Sequence, residues 1–410
     1  MKVLVIGAGL VGLASAHALA AEGHAVTVVD REGPAAGASR GNAGWLAHTD
    51  IDIIASPKML RQVPRFLLDP LGPLAIRPSY LLQLLPWLTR LIIASRPSAV
   101  RASVAALVDI QRLAMPAWEG LSGELGLKAL IHRRGGLFVF DNAAAFEAGK
   151  AHFDVQRGLG IACDILPAHE LRQMEPALAD AIVGGGFFPD AAHVADPRVV
   201  TQAVFDAALA RGIGFERAEA VAIEAGPPPR LVCTGREPMP ADRIVLAAGA
   251  WSKPLAASLG DAVPLETERG YNVSFEGVTG VLSRPVAFHG HGFVATPLDT
   301  GLRIGGAVEL GGLALPPNHA RSRALHAKAR RFLRGVPDYN TGTQWMGHRP
   351  STPDSLPVIG LSRSGPNVVL AFGHGHYGLT QSAATGRLVA DLIAGRTPPI
   401  DLAKFSPQRF

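Results

Sequence analysis

The chain opens on a run, VLVI at residues 3–6, that is apolar without a break. A strand buried on both faces reads this way, whereas a half-exposed strand alternates. Ala and Leu dominate residues 10–22, Gly23 breaks the pattern, and residues 25–29 form a second apolar run. The pattern predicts a strand, a turn, a helix and a second strand within the first thirty residues. Residues 243–247 and 367–372 repeat the buried-strand pattern, and the latter leads through a Gly-rich loop, 373–378, into a helix over 379–394. Segments 271–275, 287–288, 292–296 and 302–308 alternate instead and predict an antiparallel sheet. Further strands are expected at 135–140, 184–188 and 214–225, and helices at 147–157, 167–175, 197–211 and 322–332. Residues 31–47 read as a Gly-rich loop, and residues 57–125 as several helices punctuated by Pro.

Buried-strand segments at both ends and near the middle point to interleaved domains. The expected fold is α/β. A Rossmann-like nucleotide-binding domain is drawn from residues 1–50, 190–265 and 345–410, and a mainly antiparallel-sheet substrate domain from 51–189 and 266–344.

Composition narrows the class. The chain has 410 residues, 48% hydrophobic and 18% charged, enough to bury a large core, which excludes a disordered chain. A net charge of +5 without a run of like charge gives no nucleic-acid stripe. It is compatible with an anionic membrane surface or a carboxylate substrate. Two cysteines, Cys163 and Cys233, are too few for a zinc site or a disulfide framework and suit a reducing compartment. No signal peptide is read at the N-terminus, so a cytoplasmic location is expected. The stretch LLQLLPWLTRLIIAS at 81–95 is interrupted by Pro86 and Arg90 and is shorter than a bilayer span. Core packing is the preferred reading; peripheral contact at the inner face of a membrane stays open.

Gly7, Gly9 and Gly12 form G-x-G-x-x-G between the first strand and helix. The first makes the turn, the second lets backbone approach a pyrophosphate, and the third lets the helix pack on the strand. The helix N-terminus then meets the phosphates with its partial positive charge. Asp30 ends the second strand, where a carboxylate binds ribose hydroxyls and disfavours a 2′-phosphate. This unit alone leaves NAD and FAD open. The small-residue run GASRGNAGW at 37–45 can lie along an extended ligand. The loop and helix from residue 373 onward offer a second helix N-terminus for the electron-rich edge of a flavin.

These motifs, with DPRVV, RIVLAAGAWS, RGYNV, GHRPSTPDSLPVIG and GHGHYGLT in order, resemble the FAD-dependent oxidoreductases of the D-amino-acid oxidase and glycine oxidase superfamily. The likeness is strongest to bacterial D-amino-acid dehydrogenases and covers almost the whole chain. It implies extended, noncovalent FAD. Gly7, Gly9 and Gly12 would meet the pyrophosphate and Asp30 the adenosine ribose, with Ile6, Ala8, Leu10, Val11 and Arg31 also at the cofactor. Ser39, Asn42, Ala43 and Gly44 would line the path to the flavin. Val221 would pair its backbone with adenine, Gly249 would lie beside the nucleotide, and Gly373, Gly375, Gly378, Leu379 and Thr380 would hold the isoalloxazine. Relatives with covalent flavin use a Cys near the C-terminal loop or a His in the early loop; here the early position is Asn42 and neither Cys lies near the C-terminal one.

On the substrate side, the resemblance gives Arg349 the grip on a substrate carboxylate, to which a guanidinium is matched as a planar fork. A structural ion pair with Asp354 is the competing reading. Tyr271 falls where relatives roof the active site, as a donor to the carboxylate or as an ordinary sheet aromatic, and Arg269 replaces the usual Lys before it. His374 is read as part of the flavin loop near the reacting face, and His48 and His348 as bordering the pocket or as plain loop residues. The pairs His289/His291 and His374/His376 lack accompanying carboxylate or thiol ligands, so no metal is assigned.

The implied reaction is hydride transfer from the α-carbon of a D-amino or cyclic D-imino acid, such as D-proline or cis-4-hydroxy-D-proline, to flavin N5. Electrons would pass to a quinone or another acceptor. The products would be a 2-oxo acid and ammonia, or a cyclic imine. The alternatives are a glycine- or sarcosine-type amine oxidase using oxygen, and a flavin-binding subunit without activity. No dedicated base is identified.

Overall fold

A computed structural model describes residues 1–57, 60, 69 and 71–410. The unbroken apolar runs form a six-stranded sheet, in spatial order Gly214–Arg217, Ala25–Asp30, Lys2–Ile6, Arg243–Leu246, Gly365–Phe372 and Val358–Ser362. Every neighbouring pair is parallel except the last. Burial on alternate faces along residues 3–6 explains why that run has no polar position. Val3 and Val5 enter the core beneath helices Leu10–Ala21, Pro197–Ala210 and Gly378–Ala394. Leu4 and Ile6 enter a second core under helix Ser252–Ser258 and a three-stranded sheet of Ala220–Glu224, Arg230–Cys233 and Met239–Pro240.

The expected strand over 214–225 is therefore two strands in two sheets. The chain turns between them at Ala218, whose amide donates to the Asp30 carbonyl.

Helix Gly378–Ala394 crosses helix Leu10–Ala21 with backbone against backbone. A Cβ on Gly386 would lie 2.6 Å from the Ala14 carbonyl. The long helix Pro97–Leu125 packs on the same layer, and Trp118 Nε1 donates to the Leu379 carbonyl at 3.0 Å. The sequence reading placed this helix with the substrate domain. Its buried Met115, Trp118 and Leu121 instead join the core of the nucleotide side.

The second large element is a sheet in the order Thr343–Ser351, Glu266–Glu276, Gly301–Leu310, Phe293–Leu298, Val286–Phe288, Gly136–Phe140, Gly184–Phe188 and Asp164–Pro167. Its pairs are antiparallel apart from Val286–Phe288 with Gly136–Phe140 and an added strand, Leu74–Ile76, beside Gly301–Leu310. Residues 345–351, expected with the nucleotide unit, form an edge of this sheet, because Glu266–Ser274 pairs with residues 343–351 throughout.

Leu74–Ile76 interrupts the region expected to be helical, and residues 58, 59, 61–68 and 70 of that region lie outside the described residues. Helix Leu81–Ala94 buries only Leu84, Trp87 and Leu91. Leu82 is 80% exposed and Ile92 58%, and Leu81, Leu85 and Ile93 are also exposed, so simple core packing does not describe it. Among the described residues no single helix is long and apolar enough to cross a membrane.

Gly386→Ala is expected to force the two helices apart and to cost about 1–3 kcal/mol of stability, read as a lower denaturation midpoint in urea.

Candidate active site

Between the two large sheets lies a cavity of about 860 Å³, at the upper end of the range for small-molecule sites. It opens beyond the carboxyl ends of the parallel strands, where α/β sheets bind ligands. At its nucleotide end, Gly12 stands tight against the Gly7 carbonyl; a Cβ there would come within 2.0 Å. Gly9 brings no side chain to cap helix Leu10–Ala21, although the Leu10 amide donates to Ser39 Oγ at 3.1 Å. Ile6, Gly7, Gly9, Leu10, Val11, Ser39, Asn42 and Ala43 line the wall.

Asp30 accepts from the Ala8, Glu32 and Gly33 amides at 2.8–2.9 Å, which fixes its carboxylate at the cavity edge. Arg31 lies 4.3 Å over the Trp251 ring, and both line the cavity with Gly249. The strand ladder skips Val221, which is half exposed and faces the same space.

Several expected contacts fall behind this wall. Ala8 is fully buried and spends its amide on Asp30. Gly12 packs helix on strand, Gly44 packs on Leu298 and Pro197, and Gly373 packs on Thr352. Thr380 Oγ1 accepts from the Ala47 amide at 3.0 Å, so it braces the early loop. Gly375, Gly378 and Leu379 do reach the cavity, at the uncapped N-terminus of helix Gly378–Ala394.

At the other end, strand pairing sets Arg349 opposite Glu268. The Arg349 guanidinium lines the cavity, and a Cβ on Gly270 would lie 2.3 Å from it. Its Nη1 donates to the Ala307 carbonyl at 3.0 Å. Ala307 holds φ at +57°, a conformation uncommon for residues with a side chain and typical of functional sites. Burial lowers the Arg349 pKa, and Glu268 opposes the shift. Burial pushes the Glu268 carboxyl up, but His376, Ser351 and Arg349 together hold it below its ordinary value. His376 bonds Glu268 at 2.8 Å. Asp354 belongs to Arg409, at 2.7 Å, which disposes of the competing ion pair for Arg349.

Tyr271 borders the cavity, while its hydroxyl donates to Glu309 Oε2 at 2.7 Å and accepts from the Asn318 amide. Arg269 is fully buried on Glu309 and on the carbonyls of Gly312, Leu315 and Pro316, so it locks the sheet.

His374 lines the cavity while bonding Thr385 at 2.9 Å, and burial drives its pKa down to about 3. His348 lines it too, bonded to Thr267 and lowered to about 4 by burial and then by Arg269 and Arg31. Both rings are neutral donors or acceptors at pH 7. His48 bonds the Leu46 carbonyl and is not on the wall. Of the two His pairs, to which no metal was assigned, His291 joins Asp141, His289 stacks on Phe140 and His376 bonds Glu268, and no group of three or more metal-ligating side chains occurs among the described residues.

Sequence reasoning missed Glu268, Trp345, His376 and Asp50, all placed at or behind this wall by cross-strand register or by loop closure. Trp345 lies across Gly41, whose Cβ would sit 2.4 Å from the ring.

A parallel sheet with a glycine-turned helix N-terminus, joined to a second sheet that supplies a guanidinium, defines a dinucleotide-dependent enzyme. A profile for FAD dependent oxidoreductases, the DAO family, matches residues 2–392. The chain is 40% identical to a D-amino-acid oxidase of Bradyrhizobium diazoefficiens, covering all of this chain and 98% of that protein. It is 34% identical to D-amino acid dehydrogenase 2 of Ralstonia nicotianae, with full coverage of both. Among solved structures, glycine oxidase from Geobacillus kaustophilus aligns with a TM-score of 0.78 at 25% identity, covering all of this chain and 99% of that one. The chain belongs to the DAO family of FAD-dependent oxidoreductases. Its cofactor is FAD, and the residues present fit it: two helix N-termini whose N-cap residues supply no side-chain cap face one cavity, a fixed carboxylate ends the second strand, and tight glycines leave room for backbone approach.

His374 and His348 hold fewer protons when folded than when unfolded between their lowered pKa values and about 6.5. Stability is therefore expected to rise with pH across that window and to fall on acidification from pH 6.5 toward 4, as a declining thermal midpoint.

Proposed function

We propose that the chain oxidises a D-amino acid or cyclic D-imino acid at the α-carbon, using noncovalent FAD. The observation that carries this reading is Arg349. It is a guanidinium on the wall of the nucleotide cavity, braced by Ala307, with no carboxylate hydrogen-bonded to it among the described residues. Its remaining N–H groups can fork onto a substrate carboxylate. Glu268 behind it, itself held by His376, favours the charged guanidinium against the cost of burial.

FAD, when bound, supplies the acceptor for the hydride that leaves the α-carbon. The wall around it is largely apolar, with Phe138, Phe293, Val294 and Trp345 among its residues. The relatives named for D-amino acids support the D-configuration and the amino-acid class. Asn42 in the early loop, and buried cysteines away from the cavity, support a noncovalent flavin. The product would be a 2-oxo acid with ammonia, or a cyclic imine from D-proline or cis-4-hydroxy-D-proline.

For the electron acceptor, the reading is a membrane quinone. Helix Leu81–Ala94 turns Leu82, Leu85, Ile92 and Ile93 outward. Its inner face packs in one core with Ile54, Leu74 and Val308, which line the cavity. Between Asp69 and Asp109 the charges are Arg77, Arg90, Arg96 and Arg101, with no acid among them. Such a face suits the surface of an anionic bilayer. The second reading is direct use of oxygen, which the oxidase relative favours.

Anaerobic addition of D-proline, cis-4-hydroxy-D-proline or D-alanine is expected to bleach the flavin, and L-proline and sarcosine to leave it oxidised; the reverse order would sink the proposal. Arg349→Ala should keep its flavin absorbance and raise KM about 100-fold through the lost charged hydrogen bonds. Leu82→Glu with Ile92→Glu should weaken binding to anionic vesicles at least about tenfold, with activity toward a soluble dye unchanged. Stoichiometric peroxide in air, without quinone reduction, would favour the oxygen reading.

A further inference from the structure

An amino-acid substrate enters mainly as its ammonium form, whose nitrogen lone pair is engaged by a proton. Oxidation at the adjacent carbon needs that lone pair free. A group on the wall of the same cavity as Arg349 able to take the proton would complete the site.

The acidic residues lining the cavity, among the described residues, are Asp30, Glu32, Glu219 and Asp50. The first two form the turn at the nucleotide end, and Glu219 adjoins Val221 there. Asp50 belongs to another part of the wall. It lies on the loop after Trp45–Leu46, and this loop is clamped from two sides. Gln111 Nε2, from helix Pro97–Leu125, donates to the Ala47 and Asp50 carbonyls at 3.0 and 3.1 Å. Tyr377, from the turn that enters helix Gly378–Ala394, donates its hydroxyl to the Asp52 carbonyl at 2.7 Å. That hydroxyl also neighbours the Asp50 carboxylate. The loop is thereby tied to the segment that carries His374, Gly375 and Gly378 on the cavity wall.

We propose that Asp50 is the proton acceptor of the reaction, taking a proton from the α-ammonium group of the substrate, or from the secondary ring ammonium of a cyclic imino acid. This rests on the amino-acid reading above. The N–H bond breaks, its electron pair stays on nitrogen, and an O–H bond forms on the carboxylate; no electrons are transferred in this step. The proton then leaves Asp50 for water.

The surroundings give the carboxyl a suitable affinity. Burial first, and the like charge of Asp52 second, push the Asp50 pKa up to about 7, while the Tyr377 hydroxyl and the Asp52 amide oppose the shift. His152 lies 3.6 Å from Asp52 and faces it from helix Ala143–Gly158. A base is most effective when its pKa is near the working pH. His374 and His348, at about 3 and 4, are far weaker acceptors.

The test is stopped-flow flavin reduction by a saturating D-amino acid, from pH 5 to 10, in the wild type, Asp50→Asn and Asp52→Asn. The wild-type rate should rise with pH through a limb near 7. Asp50→Asn should keep its flavin spectrum, lose about 100-fold in rate at pH 7, and regain it as the free amine becomes abundant at high pH. Asp52→Asn removes a like charge and should move the wild-type limb to lower pH, a readout that stands even if Asp50→Asn fails to fold. An Asp50→Asn enzyme with the wild-type saturating rate and profile, whatever its KM, overturns the proposal. So does an Asp52→Asn limb that stays in place. Failure of the wild type itself to bleach would overturn the amino-acid reading along with this one.

Discussion

The crossing of helix Leu10–Ala21 with helix Gly378–Ala394 sets the geometry on which the rest depends. Gly386 lets the two backbones meet, and residues far apart in the chain then start their helices at one cavity. Each N-terminus brings unpaired amides and a partial positive charge. Neither N-cap residue supplies a side-chain cap, and Ser39 takes only the Leu10 amide of the first helix, so the remaining amides are left to the cofactor. The long helix Pro97–Leu125 holds this arrangement from outside, through Trp118 on Leu379 and Gln111 on the early loop.

The second sheet answers with charge rather than with dipoles. Glu309 neutralises Arg269 deep inside it, and Tyr271 and Arg77 converge on the same carboxylate. This makes a rigid base from which the neighbouring strand presents Arg349 to the cavity. Two buried carboxylates, Glu309 and Glu268, thus have distinct tasks. One fastens the sheet, and the other sustains a cation that remains available to a ligand.

What the sequence made legible followed from local pattern. The parallel strands, the glycine fingerprint, Asp30 and the entry to the last helix depend on neighbours within about thirty residues. What it hid depended on register and on loop closure. Thr343–Ser351 contains Gly347 and Pro350, so its strand character comes from pairing with Glu266–Glu276 and not from its own propensity. The same pairing puts Glu268 behind Arg349, and the pairing on the other side, with Gly301–Leu310, brings Glu309 to the Tyr271 hydroxyl. Asp50 gave no local signal, because its chemistry arises from Asp52, Tyr377 and burial together. The outer face of helix Leu81–Ala94 was misjudged because an apolar run does not reveal which of its sides is covered.

Both cysteines lie buried outside the cavity lining, and burial raises both thiols, Cys163 to about 11. The reactive thiolate is therefore scarce in the folded chain at neutral pH. An alkylating reagent added to the native protein would report on unfolding and leave turnover alone. The thiols can accordingly serve as a built-in gauge of conformational opening, one that can be read while the flavin chemistry is running.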